Sequence, residues 1–188
     1  METNDGLEDK LNDFSNIVRE EFSFLTNVHS FVRKELEKVA FEDSRDKNAR
    51  IDYLDGCLCV RVEWYLIDAS IGVGLIKLEN GKIPAKFSFF EKKGFSPAIS
   101  LSTLVEFVTN GELKDPLPTF GPKAGARKIN KAWRERERLI KENMRGIVAT
   151  YSNWLQEYGR DILKGDTSIF ERVQKYATEK IAENYYGF

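Results

Sequence analysis

Few residues in this chain have the types and spacing to do chemistry. Cys57 and Cys59 form a C-x-C pair, His29 is the single histidine, and Asp52, Asp55, Glu63 and Asp68 place carboxylates in one stretch. A zinc site draws three or four N, S or O ligands from residues at recurring short spacing. Neither the cysteine pair nor His29 has a second pair to complete such a set, so no metal and no cofactor are expected. Paired carboxylates can run acid–base reactions, but turns account for Asp55 and Asp68. No catalytic residue is assigned, and an enzyme with an unrecognised site remains a third reading. The chain has no G-x-x-x-x-G-K-S/T loop, no G-x-G-x-x-G fingerprint and no G-x-S-x-G elbow, the motifs that cradle phosphates or present a nucleophile. Gly72-Val73-Gly74 is too short to hold a phosphate and lies inside a strand pattern.

Basic residues show the clearest order. Arg127, Lys131, Arg134, Arg138, Lys141 and Arg145 recur at intervals of three and four, which aligns them on one face of a helix. Such a stripe can bind phosphates, with Trp133 available for stacking. Two plainer readings compete with it. Glu135, Glu137 and Glu142 can pair with these bases within the helix, or the stripe can dock on the acidic N-terminal segment of the same chain.

The elements that would position these residues follow from periodicity. Residues 49–90 read as an antiparallel meander of about four strands. Asp55-Gly56 and Asn80-Gly81 supply tight turns between runs rich in Val, Ile and aromatics, and Asp68-Ala69-Ser70 offers a third. In the second strand Leu58, Val60, Val62, Trp64 and Leu66 form an apolar set that should face helices. Cys57, Cys59, Arg61, Glu63 and Tyr65 should form the more exposed face. Gly72 and Gly74 share one face of the next strand and permit close approach. Residues 83–90 should close the meander at an edge, because Pro84 lacks a donor.

Before the sheet, apolar residues from Leu7 to Val39 keep helical spacing, which predicts helix over 5–39 with a break near 23–27. After it, 101–108 reads as a short helix capped by Ser100 or Ser102. Residues 110–126 hold Pro116, Pro118 and Pro122 with three glycines and read as a long loop. Residues 128–187 return to helix, with Gly146 a candidate kink, Gly165 an end signal and Ser168 with Glu171 a capping box.

At 188 residues the chain can bury a full core as one domain, 1–188. Its 29 Lys and Arg nearly balance 30 Asp and Glu, so net charge favours neither nucleic acid nor membrane. No apolar run reaches the roughly 20 residues of a bilayer span, and METNDGLEDK has no apolar signal region. Two cysteines two apart on a strand would share a face and not bridge. These features predict a reduced, cytoplasmic setting.

The tail Tyr158-Gly159-Arg160-Asp161-Ile162-Leu163-Lys164-Gly165-Asp166-Thr167-Ser168-Ile169-Phe170, with the order helix, meander, helices, resembles small bacterial proteins of unknown function. Some of these look like immunity proteins of polymorphic or contact-dependent toxin systems. The resemblance implies a non-catalytic protein that binds a cognate toxin. Aromatic residues and arginine anchor interfaces, and a loop adapts to a partner. The protein-binding surface is therefore expected at Arg61, Glu63 and Tyr65 with Pro118 and Phe120 of the loop. The alternative is nucleic-acid binding through 127–145, carried by Arg127, Lys131, Arg134, Arg138 and Lys141. The fold expected is α+β: an antiparallel sheet of about four strands packed with a long N-terminal helix and C-terminal helices.

Overall fold

The computed structural model describes residues 4–34, 37–40, 47–66, 68–85, 96–119 and 124–186. Helices α1 (Asn4–Glu21) and α2 (Ser23–Asn27) lead into strands β1 (Val32–Arg33), β2 (Glu37–Ala40), β3 (Lys47–Leu54), β4 (Leu58–Tyr65), β5 (Ser70–Lys77) and β6 (Ala98–Ser100). Then follow α3 (Leu101–Val108), α4 (Ala126–Tyr158), a 3-10 turn (Ile162–Lys164) and α5 (Ile169–Tyr186). The sheet is antiparallel with the order β1-β3-β4-β5-β6, and β2 also pairs with β3. This is an α+β fold with an N-terminal helix and C-terminal helices, and the described residues form six strands where about four were expected.

β4 lies at the middle of the sheet, paired along its length with β3 and β5. Its apolar set behaves as its alternation predicts. Leu58, Val60, Val62 and Trp64 are buried with Ile51, Tyr53, Ile71, Val73 and Leu75 of the neighbouring strands. Against them α1 sets Leu11, Phe14 and Val18, α3 sets Leu104 and Val105, and α4 sets Ile147, Val148, Tyr151 and Leu155. The Phe14 and Trp64 rings lie 5.6 Å apart, and the Tyr53 hydroxyl donates to the Val18 carbonyl at 3.2 Å. A smaller cluster of Cys59, Ile76, Leu78 and Ala98 forms beside it.

The helical pattern drawn through 39 stops at Asn27. Ser30 adopts φ 59°, and the Phe31 N–H reaches back to the Leu25 carbonyl at 3.0 Å, so a left-handed residue and a returning hydrogen bond turn the chain out of the helix. Beyond it, Val32 and Arg33 pair with Leu54 and Tyr53, and residues 37–40 pair with 47–50. The expected break near 23–27 falls at Phe22, between α1 and α2. Both glycine turns form, with φ 96° at Gly56 and φ 54° and 73° at Asn80 and Gly81. The second closes only a bridge between Glu79 and Lys82. Residues 83–85 are not strand, and the rest of the strand expected there (86–90) lies outside the described residues. Ser100 caps α3 by accepting from the Thr103 N–H at 3.2 Å. The capping box of Ser168 and Glu171 is replaced by a turn in which the Ser168 N–H donates to Asp166 Oδ1 at 2.9 Å.

α4 is two helices joined end to end. Asn143 leaves helical geometry at φ −149°, ψ 44°, and its Oδ1 accepts from the Gly146 N–H at 3.2 Å. That is an N-cap inside a helix. A Cβ on Gly146 would sit 2.4 Å from the Asn143 amide, so the glycine expected to weaken the helix leaves room for the cap. Arg145, in the first turn after the break, pairs with Glu20 and Glu21 of α1 at 2.8 and 2.9 Å. Ser152 Oγ donates to the Glu21 carbonyl at 2.6 Å, serving an end carbonyl of α1 that has no helical partner. The basic helix thus meets the acidic N-terminal helix, as one sequence reading has it, but through Arg145.

Urea denaturation tests the internal cap. Gly146→Ala alone should not yield the ~1 kcal/mol gain that alanine brings to an open helix interior. In an Asn143→Ala background, which itself costs about 1 kcal/mol, the same change should stabilise. Additive effects of the two substitutions would contradict the cap.

Candidate functional site

On the face of the sheet opposite the main core, β4, β5 and β6 leave a cleft of about 820 Å³. Alternation along β4 places Glu63 and Tyr65 on this face, and their register partners on β5 are Gly72 and Ser70. Gly72 forms the floor, where an added Cβ would meet no atom within 4 Å. Ser102, Thr103 and Glu106 of α3 stand on another side, Lys180 of α5 reaches in, and residues 113–119 supply Leu113, Asp115 and Pro118.

The walls are tied by hydrogen bonds. Asp115 is the main fastening. Its Oδ2 accepts from Ser102 Oγ at 2.5 Å, and its Oδ1 accepts from the Leu117 N–H at 2.9 Å. The Tyr151 hydroxyl lies 2.9 Å from the same Oδ1 and 3.0 Å from the Ile71 carbonyl, so one proton serves two acceptors. Burial, aided by the Asp115 charge, pushes the Tyr151 hydroxyl far above the usual tyrosine range, keeping it a donor. The loop is thereby sewn to α3, α4 and β5. In the cleft, Tyr65 donates to Glu63 Oε2 at 2.6 Å. Burial first, and the Glu63 charge second, raise its hydroxyl well above the ordinary value. Lys180 pairs with Glu106. The lining carries four carboxylates (Glu63, Asp68, Glu106, Asp115) against Lys114 and Lys180, so the cleft is acidic.

Three residues expected at a binding surface, Glu63, Tyr65 and Pro118, line this one cleft. Phe120 lies outside the described residues. Arg61 corrects the expectation. It is 6 % exposed, and its Nε and Nη2 donate to Asp52 Oδ1 and Oδ2 at 2.8 and 2.9 Å. The two residues are register partners on β4 and β3. Burial favours a neutral guanidine, but the hydrogen bonds and charge of Asp52, with Glu63 beyond, outweigh it and hold Arg61 charged. The polar face of β4 is therefore closed around Arg61 and open only at Glu63 and Tyr65. Local alternation assigned the side of the sheet; it carried no signal for the Asp52 partner. Sequence reading marked Gly72 as a place of close approach and the loop from Asp115 as part of the surface, but it gave Ser102 and Lys180, which come from separate elements, no place there.

The remaining candidates separate into structural roles. Cys57 is exposed in the turn before β4, and Cys59 is buried within the strand. Cys57 therefore lies just outside the strand on which the two cysteines were expected to share a face. His29 lies edge-on to Phe24 with ring centres 6.1 Å apart. Among the described residues no three His, Cys, Asp or Glu side chains gather as metal ligands, and no helix is long and apolar enough to cross a membrane. Arg127, Lys131, Arg134 and Lys141 are exposed on α4, and Arg138 pairs with Glu135 at 2.7 Å and with Glu142. Trp133 does not join them. At about 100° per residue it lies roughly 130° round the helix from the centre of the stripe, so it cannot stack on whatever the stripe binds.

Removing one member of a buried pair strands the other charge. Asp52→Ala should cost about 3–5 kcal/mol in urea denaturation, and Asp52→Leu with Arg61→Met should cost less than that single change. A double variant as unstable as the single would contradict a desolvated pair. Burial, with the Asp52 charge behind it, pushes the Cys59 thiol far above the usual cysteine range. A thiol-specific disulfide reagent at pH 8 should therefore react with one thiol per native chain, Cys57, and with both after denaturation.

Compared with known proteins, the chain matches no family model, no curated protein and no solved structure.

Proposed function

We propose that the protein is a non-catalytic protein-binding module, an immunity-type inhibitor that holds a cognate toxin through the acidic cleft of β4, β5 and the 113–119 loop. The observation that carries this reading is the convergence of Glu63, Tyr65, Gly72 and Pro118 on one open concavity. The order of elements and the 158–170 tail resemble small bacterial proteins of unknown function, some of which look like immunity proteins, and that resemblance suggests the class of partner. A concave surface with a bare glycine floor admits a side chain or loop from outside. The lining carries more acid than base, so a basic segment is the complementary guest, and like charge opposes an acidic one. Tyr65 is already held by Glu63, and the loop by Asp115, so little ordering entropy is lost on binding. The unbridged Cys57 and Cys59 suit a reducing compartment such as the cytoplasm.

Gly72→Leu tests the reading. The new side chain enters open space, and replacing a strand glycine should leave stability unchanged or raise it by about 0.5–1 kcal/mol. In parallel affinity captures from nuclease-treated lysate of the native host, the wild type should retain a stoichiometric protein partner and Gly72→Leu should lose it at least tenfold. Co-expression with the wild type, and not with the variant, should relieve growth arrest caused by that partner. Equal capture by both forms would overturn the cleft as the binding site, and a partner that causes no arrest would overturn the immunity class.

A further inference from the structure

We infer that the outward stripe of α4 formed by Arg127, Lys131 and Arg134, with Arg138 at its end, is a sequence-independent binding surface for the phosphate backbone of duplex nucleic acid. The first support is position. No residue of α4 before Ile140 is buried, so the first half of the helix stands proud of the core and is set off by the Asn143 break.

The second is orientation. At about 100° per residue the four bases fall within roughly a 60° sector, and Arg136 lies on the opposite side. Arg136 Nε donates to the Pro118 carbonyl at 2.6 Å, and its Nη1 lies 3.5 Å from the Asp68 carbonyl. That fastening turns the helix so that the basic sector faces away from the body. Ile129 and Trp133, each more than a third exposed, lie on the fastened side.

The third is charge pairing. Arg138 is engaged by Glu135 and Glu142, whereas Lys131 acts on Glu135 only through its charge, and Arg127, Lys131 and Arg134 stand exposed. The three line a shallow furrow of about 710 Å³ with Asn130, Glu135 and Arg138. An outward cationic sector can select a nucleic acid or an acidic protein. Interface cores between proteins rely on apolar and aromatic side chains and exclude charge, and this sector has no apolar side chain. Phosphate contacts need only donors, fix position and read no sequence. The sector also lacks an aromatic residue on which unpaired bases would stack, which favours duplex over single strands.

The test uses the full chain and a fluorescent 20-base-pair duplex of random sequence, read by anisotropy. Three neutralised phosphates give a log–log salt slope of about −2.7, so affinity should fall about fortyfold between 50 and 200 mM salt. The variant Arg127→Ala/Lys131→Ala/Arg134→Ala, with all three changes at exposed positions, should keep the wild-type thermal unfolding profile. It should bind at least tenfold more weakly at 50 mM salt, with a flattened slope. Absence of wild-type binding at 50 mM salt, salt-independent binding, or equal binding by the triple variant would each overturn the inference. So would light scattering that shows a nucleic-acid-free dimer lost in the triple variant, because the stripe would then serve a second copy of the chain. The cleft is on other elements, so failure here leaves its reading untouched.

Discussion

Side chains along a strand must alternate between two faces, and in β4 that constraint governs both the core and the cleft. Leu58, Val60, Val62 and Trp64 fill the space between the sheet and the helices, which obliges Cys59, Arg61, Glu63 and Tyr65 to face the other way. The same residue pattern then meets two environments along one strand. Around Cys59 and Arg61 the second face is covered, and a guanidinium there is tolerable only because the β3 register sets Asp52 opposite. Nearer the end of the strand, where β5 offers Gly72 in place of a side chain, the face is open. The cleft is thus a consequence of how the sheet buries its other side.

The loop that walls the cleft has little regular structure of its own, yet it is held by one carboxylate with three donors. Asp115 draws together Ser102, Tyr151 and the backbone at Leu117. A loop fixed in this way keeps its shape without a partner, which suits recognition by complementarity more than by folding on contact. Arg136 extends the same network outward by holding the Pro118 carbonyl, so the cleft wall and the orientation of the basic helix share a fastening.

Much of this architecture is legible in local pattern. The period-two alternation of 58–66, the Asp55-Gly56 turn, the Ser100 cap and the interruption near Ser23 depend on neighbours a few residues away. The misread stretches depend on distant ones. Val28, Val32 and Val39 continue a helical spacing by coincidence; residues 32–33 and 37–40 are claimed by pairing with β3, and β-branched valines suit a strand. Arg61 looks like a surface anchor until Asp52 is set across from it. The outward turn of the α4 stripe follows from Arg136 meeting a carbonyl 18 residues earlier in the chain, for which spacing within the helix holds no signal. Of the cleft, Glu63, Tyr65 and Pro118 were readable by type and face, whereas Ser102 and Lys180 enter from elements whose placement only the tertiary fold decides.

The break at Asn143 also divides α4 in its cooperativity. Hydrogen bonding along a continuous helix couples its turns, so fraying at one end is opposed by the whole. A cap in the middle closes that ladder and starts another. Residues 144–158 gain their protection from the core beneath them, whereas residues before Leu139, none of them buried, draw on local turns and contacts such as the Arg136 tether. Amide protons of the first half are therefore governed by a small local opening free energy, those of the second by unfolding of the domain, and the boundary between the two regimes falls at a single asparagine.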